Sequence, residues 1–178
     1  LGLQLSAALN NQDGLIESAS DLQLTTNTLS NSGGKLRALG GESASRFALG
    51  GLFNNDAGLV EIGSGVFTLS SVGLSNLGGT VRHTGTQGFN LDLTALGQAG
   101  GRFITNSAVD LSFDEWTNTS SLQAKTLSIN INRLTQTASG ALITESSINT
   151  SGERWLNDGA IETDGTLNLT LTDAYNGN

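Results

Sequence analysis

A bulky residue, ordinarily two places before a side-chain amide, recurs along this chain at Leu9, Leu29, Phe53, Leu74, Leu96, Trp116, Leu134, Trp155 and Tyr175, in steps of 20, 24, 21, 22, 20, 18, 21 and 20 residues. A repeat near 21 residues is too short to bury an apolar face by itself, so successive units must stack and share one core. The amides form a second column: Asn11, Asn31, Asn55, Asn76, Gln98, Asn118, Gln136 and Asn157.

Each repeat also carries short alternating runs, among them Leu22-x-Leu24, Phe67-x-Leu69, Leu91-x-Leu93 and Leu127-x-Ile129-x-Ile131. Period two is the mark of a strand, and no segment holds helical spacing over the length a helix needs. Gly-Gly or Asp-Gly follows the amide in the early repeats, and a second alternating pair such as Leu36/Ala38 or Val60/Ile62 comes next. The unit therefore reads strand, turn, strand, turn. The expected fold is all-β, a right-handed parallel β-helix (β-solenoid) of about 8–9 coils, in which like residues stack and the amides ladder along one turn. At about 4.8 Å per coil the rod is about 40 Å long. The absence of proline agrees, since an interior coil needs its backbone N–H groups for pairing.

Composition removes many functions. The chain has no cysteine and one histidine, His83, which excludes thiol catalysis, a disulfide scaffold and cysteine metal sites, and leaves little room for histidine-based metal or triad chemistry. Eight Lys and Arg face sixteen Asp and Glu, a net charge of −8. No basic face offers itself to nucleic acid. No apolar run is long enough to span a bilayer as a helix, so no membrane insertion of this segment is expected.

The pattern Leu-x-Asn-x-Gly-Gly-x-Leu-x-Ala-x-Gly in Leu29 to Gly40, repeated in Leu74 to Gly85 and partly in Leu9 to Ser18, resembles the filamentous-haemagglutinin repeats of two-partner-secretion exoproteins, the large adhesins and contact-dependent growth-inhibition proteins of Gram-negative bacteria. The match is good over residues 1–105. Over 106–178 the double glycine is lost and Trp116 and Trp155 enter the bulky column. The chain begins Leu1-Gly2-Leu3 and reads as one β-helix fragment, 1–178, of a larger exoprotein, its divergent coils 106–178 being the candidate binding segment. The resemblance implies a secreted, cell-surface shaft or adhesin segment mediating cell–cell or host contact. It also implies two partners, an outer-membrane two-partner-secretion transporter and a surface receptor on a target or host cell. The alternative it leaves open is the receptor-binding segment of a growth-inhibition exoprotein.

Candidate site residues carry competing readings. His83 falls in a column with Ser18, Ala38, Ile62 and Thr105 and reads first as a core-edge residue. Asp110, Asp114 and Glu115 suggest an acidic corner that is either solvated or a cation site, but the calcium-binding repeat of other solenoids is missing. Trp116 and Trp155 read as core packing first and as partner contacts second. The longest step, 24, places an insertion at Gly40 to Leu52, a candidate projecting loop or short helix that would present Arg46 and Phe47 to a partner. No catalytic, cofactor or metal residue is expected. A polysaccharide-active β-helix enzyme ranks third, because only Arg102 and Lys125 are basic residues near the acidic corner. Finally, Glu17, Arg37, Glu61 and Arg82 occupy one outward column with alternating sign, ahead of Ile104.

Overall fold

The structure is a computed structural model and describes residues 1–93 and 98–177. It is a β-solenoid: parallel strands stack in about eight turns with a period of about 21 residues, and no helix occurs among the described residues. Leu96 of the bulky column lies outside the described residues.

Through the first half each coil has three strands on three faces. The first sheet stacks Gly2–Gln4, Gln23–Thr26, Ala44–Leu49, Val66–Ser71 and Gly88–Leu93; the second stacks Ala8–Asn10, Thr28–Ser30, Leu52–Asn54 and Gly73–Ser75. The third runs through Leu15–Ser18, Lys35–Ala38, Leu59–Ile62, Thr80–His83 and Arg102–Thr105 into Ser121–Gln136, Ala141–Asn157 and Ala160–Thr163. Register on this face is unbroken. Ile16, Leu36, Val60, Val81, Phe103, Leu122, Leu142 and Ile161 form one inward column across all eight coils. Because side chains alternate across a strand, a slip of one residue would turn this whole column outward, which is why the register is specified so strongly.

The second half is built differently. Ser121–Gln136 pairs with Arg102–Thr105, then with Ala108–Asn118 over two further stretches, so one strand wraps the three faces. Two corners are breaks in register, between Ala124 and Thr126 and between Gly152 and Arg154, while the corner after Gln136 keeps a tight turn, closed by a bond from the Gly140 N–H to the Thr137 carbonyl at 2.8 Å. Loss of the double glycine in the sequence appears as loss of the left-handed turn residue, since none beyond Gly101 has positive φ among the described residues.

The core fills the interior of the coils. Leu9, Leu29, Phe53 and Leu74 stack on the second face, and Trp116, Leu134, Trp155 and Tyr175 stack in the later coils. Leu29, Phe53, Leu134 and Trp155 are essentially inaccessible. Phe47 lies edge-on to Phe67 at 5.1 Å, and Phe67 stacks on Phe89 at 5.7 Å. Such pairs add to simple burial.

The expected projecting loop at Gly40 to Leu52 is corrected. Ser45, Phe47 and Leu49 alternate inward, so Ala44–Leu49 joins the first sheet between Gln23–Thr26 and Val66–Ser71. Burying Phe47 and Leu49 outweighs any tendency of this segment to loop out.

Candidate functional site

The densest chemistry in the molecule is the turn that follows the second face. Asn11, Asn31, Asn55 and Asn76 each open a β-turn closed by a bond from the backbone N–H of Gly14, Gly34, Gly58 or Gly79 to the Asn carbonyl, at 2.9–3.0 Å. The third turn residue has positive φ in each: Asp13 (54°), Gly33 (64°), Ala57 (53°) and Gly78 (65°). Glycine suits that place, and the early double glycine supplies it at Gly33 and Gly78. The glycine after it answers a second demand, close approach of the preceding coil's backbone: a side chain at Gly34, Gly58 or Gly79 would overlap the carbonyl oxygen of Asn11, Asn31 or Asn55.

Asparagine heads the turn because its amide can be satisfied there without water. The Nδ2 of Asn11 donates to Asn31 Oδ1 at 2.6 Å, Asn31 to Asn55 Oδ1 at 2.7 Å and Asn55 to Asn76 Oδ1 at 2.7 Å. Each of these amides also reaches backbone carbonyls of its own turn and of the next coil, as Asn31 does with Gly34 and Leu59. Asn31, Asn55 and Asn76 are fully buried. We predict that Asn55→Ala, which strips a partner from Asn31 on one side and Asn76 on the other, lowers the unfolding free energy by about 1–3 kcal/mol. Urea denaturation followed by circular dichroism measures it, and an unchanged midpoint would show that the ladder carries no stability.

Gln98 does not continue this column. It is exposed, and Asn76 Nδ2 donates instead to the Gly100 and Arg102 carbonyls at 3.3 Å. The turn has been rebuilt with Gly100 and Gly101 both at positive φ (69° and 65°), so a backbone oxygen stands where a side-chain oxygen was expected. A second run resumes at Asn118, which donates to Gln136 Oε1 at 3.0 Å; Gln136 donates to Asn157 Oδ1 at 2.7 Å. Asn157 then donates to the Tyr175 hydroxyl at 3.2 Å. Sequence reasoning missed Tyr175 in this role because it stands in the bulky column.

The expected partner contacts separate. Trp155 and Phe47 are completely buried and Trp116 nearly so, so none of the three aromatics offers a contact face. Trp155 donates its indole Nε1–H to the Ile131 carbonyl at 3.0 Å, which satisfies the one polar atom that burial would have orphaned. Arg46 alone of the four faces outward, between Gln23 and Thr68.

Nor do the acidic residues converge. Asp114 accepts from Asn132 at 2.8 Å, Glu115 pairs with Arg133 at 3.1 Å, and Asp110 lies beside Ser128 in an outward row. Among the described residues no group of three or more His, Asp or Glu is placed to hold a metal ion.

On the outer side of the third face the charges do meet. Arg37 reaches Glu17 at 2.6 Å and Glu61 at 2.9 Å, and Arg82 lies 3.8 Å from Glu61. The guanidinium of Arg37 is held above its ordinary range, first by the bond to Glu61. With about a third of each of the first three side chains accessible, solvent screens these pairs, and their main effect is on register rather than stability.

His83 occupies a buried polar string at another corner. Its Nε2 stands 2.8 Å from the Ser64 carbonyl and its Nδ1 2.9 Å from Thr105 Oγ1. A carbonyl only accepts, so the proton sits on Nε2 and Thr105 donates to Nδ1. The Ser107 N–H in turn donates to Thr105 Oγ1. Burial lowers the imidazole pKa below its ordinary value, so the folded chain binds fewer protons than the unfolded one. Stability is therefore fully present above about pH 6.5 and is lost as pH falls from there toward the folded value. The thermal midpoint is expected to fall between about pH 7 and 5, and His83→Gln should remove that slope.

No protein-family model matches this chain, and no curated protein or solved structure is similar enough to it to count as a match.

Proposed function

We propose that this chain is a shaft or adhesin segment of a secreted filamentous exoprotein displayed at the exterior of a Gram-negative outer membrane. In this reading a dedicated two-partner-secretion transporter exports the parent protein and the segment mediates contact with another cell. The observation that carries the reading is the continuity of the rod. One inward column and one outward column run through all eight coils without a break. A surface of this kind spans distance and presents polar groups; it does not assemble acid, base and nucleophile. The filamentous-haemagglutinin resemblance of residues 1–105 supports the same reading.

The receptor-binding alternative loses its buried aromatics and keeps a different surface. The long strands of the second half expose parallel rows, Ser128, Asn149 and Asn168 in one and Asn130, Ser151 and Thr170 in the next. These polar rows, the first headed by Asp110, and Arg46 on the first half are what a surface receptor would meet.

The test is a cell- and glycan-binding array with the purified chain. Retention on cells or glycans with the polymer left at full length supports an adhesive segment. Shortened polymer would overturn it in favour of a polysaccharide-active enzyme. Saturable binding to one bacterial target, weakened by charge introduced at Asn149 and Ser151, would favour the receptor-binding branch.

A further inference from the structure

The alternating charge column on the third face leaves one cation half matched. Arg37 lies between Glu17 and Glu61, and Glu61 between Arg37 and Arg82, so each of these two has an opposite charge on both sides. Arg82 has Glu61 on one side and Ile104 on the other. Its approach to Glu61 is 3.8 Å, too long for a hydrogen bond, whereas Arg37 holds its two carboxylates at 2.6 and 2.9 Å. Among the described residues the Arg82 guanidinium makes no hydrogen bond, and about half of the side chain is accessible.

A second outward column runs beside the first, at the corner that follows. Leu39, Gly63 and Thr84 occupy successive coils there, fixed by bonds from the Gly63 N–H to the Ala38 carbonyl at 2.7 Å and from the Thr84 N–H to the Ile62 carbonyl at 2.9 Å. Gly63 has no side chain, so a gap opens between half-exposed Leu39 and Thr84. The result is a depression of about 220 Å³, lined by Arg37, Glu61 and Arg82 from one column and by Leu39, Gly63 and Thr84 from the other. The backbone keeps the gap open: a Cβ on Gly63 would stand 3.2–3.3 Å from the carbonyl oxygens of Ala38, Leu39 and Gly40.

The lining asks for a particular chemistry. Two guanidinium groups and one carboxylate leave an excess of one positive charge here, in a chain of net charge −8. Glu61 spends Oε2 on Arg37 and leaves Oε1 as an open acceptor. The backbone of Thr84 is occupied, its N–H by Ile62 and its carbonyl by Asn106 Nδ2 at 3.2 Å, while its hydroxyl has no partner among the described residues. A simple anion would answer Arg82 and set a second negative charge against Glu61. A neutral sugar would answer Glu61 and leave Arg82 half matched. A ring that carries both a carboxylate and hydroxyls answers the two together, and its C–H face suits Leu39.

We propose that this depression binds an acidic sugar residue, a uronic or sialic acid of a glycan. The sugar carboxylate supplies the second negative charge that Arg82 lacks, a sugar hydroxyl donates to Glu61 Oε1, and Thr84 Oγ1 bonds another. Leu39 covers the apolar part of the ring. The site is argued from the depression itself and not from the shaft reading, and the two fail separately: cells retained on the array by a chain that binds no acidic sugar would remove the site and leave the adhesive function.

The test is titration of the isotopically labelled chain with galacturonic acid and, separately, with a methyl sialoside, followed through the backbone amide resonances. The expected result is a saturable shift at Leu39, Gly63 and Thr84 with at least one of the two, in the millimolar range of a small ligand on an open surface. The sugar that saturates first identifies the source. Galactose, which has the ring of galacturonic acid without its carboxylate, should bind about tenfold more weakly or worse, and Arg82→Gln should lose about as much for the acidic sugar. Ile104→Glu keeps the guanidinium but gives it a carboxylate from the chain itself, and should weaken the sugar by about threefold or more. The same spectra report whether each variant is folded. No saturable shift with either acidic sugar, equal shifts with acetate or with an acidic peptide, or undiminished binding by Arg82→Gln would overturn the proposal.

Discussion

Trp155→Ala is expected to lower the stability of the C-terminal coils by about 3–5 kcal/mol. The indole is fully buried between Leu134 and Tyr175, so its removal leaves a cavity that two neighbouring columns cannot close. It also leaves the Ile131 carbonyl without its indole donor. Gly152 shows how closely the site is fitted: a side chain there would overlap the Ile131 oxygen and stand 3.1 Å from Trp155 Nε1. Trp155→Phe separates the two contributions, keeping most of the volume while removing the donor, and should cost about 1–3 kcal/mol. Because each coil touches only its neighbours, the loss should appear as early unfolding of the coils beyond Ser121, resolvable by amide hydrogen exchange. Protection there unchanged from the parent would contradict the packing described.

Gly79→Ala is expected to be nearly as damaging, about 3 kcal/mol or more, although it adds a single methyl group. The Cβ would overlap the Asn55 backbone oxygen and the Asn76 side-chain oxygen, and neither can retreat. One belongs to the turn of the preceding coil and the other to the buried ladder. Gly41→Ala is the control, since its Cβ meets nothing within 4 Å, and it should be neutral or stabilising by up to about 1 kcal/mol. Thermal unfolding of the two variants side by side checks the claim. Equal midpoints would mean that the glycine after the left-handed turn position has no close neighbour to accommodate.

The stack was legible in the sequence because each coil repeats the demands of its neighbours. A residue facing inward at Ile16 must face inward at Leu36 and Val60, and an amide able to ladder at Asn31 finds the same acceptor at Asn55. Repetition turns a weak signal into a column. Legibility failed where a local solution departs from the repeat. Gln98 carries the right residue type in the right place, yet two consecutive glycines after Ala99 allow the backbone itself to offer the oxygen, so the glutamine is left outside. The insertion before Leu52 looked like a loop by length. Its alternation of Ser45, Phe47 and Leu49 was the better guide, since period two marks a strand wherever the partner strands can accept it. The aromatic residues misled as contact candidates for a related reason: a tryptophan that replaces leucine in an inward column stays inward if its N–H finds a carbonyl, and Trp155 finds one.

The central claim is the coil register, and spin-label distances along the outward column test it most directly. With no native cysteine, Glu17 can be paired with Ile104 in one doubly labelled variant and with Glu162 in another, diluted in unlabelled chain. Glu17, Arg37, Glu61, Arg82, Ile104, Gln123, Ile143 and Glu162 occupy consecutive coils. The account predicts separations of about 19 Å for the first variant and about 34 Å for the second, in proportion to four and seven coil heights. A second distance that failed to exceed the first by about three coil heights, roughly 14 Å, would contradict the stack.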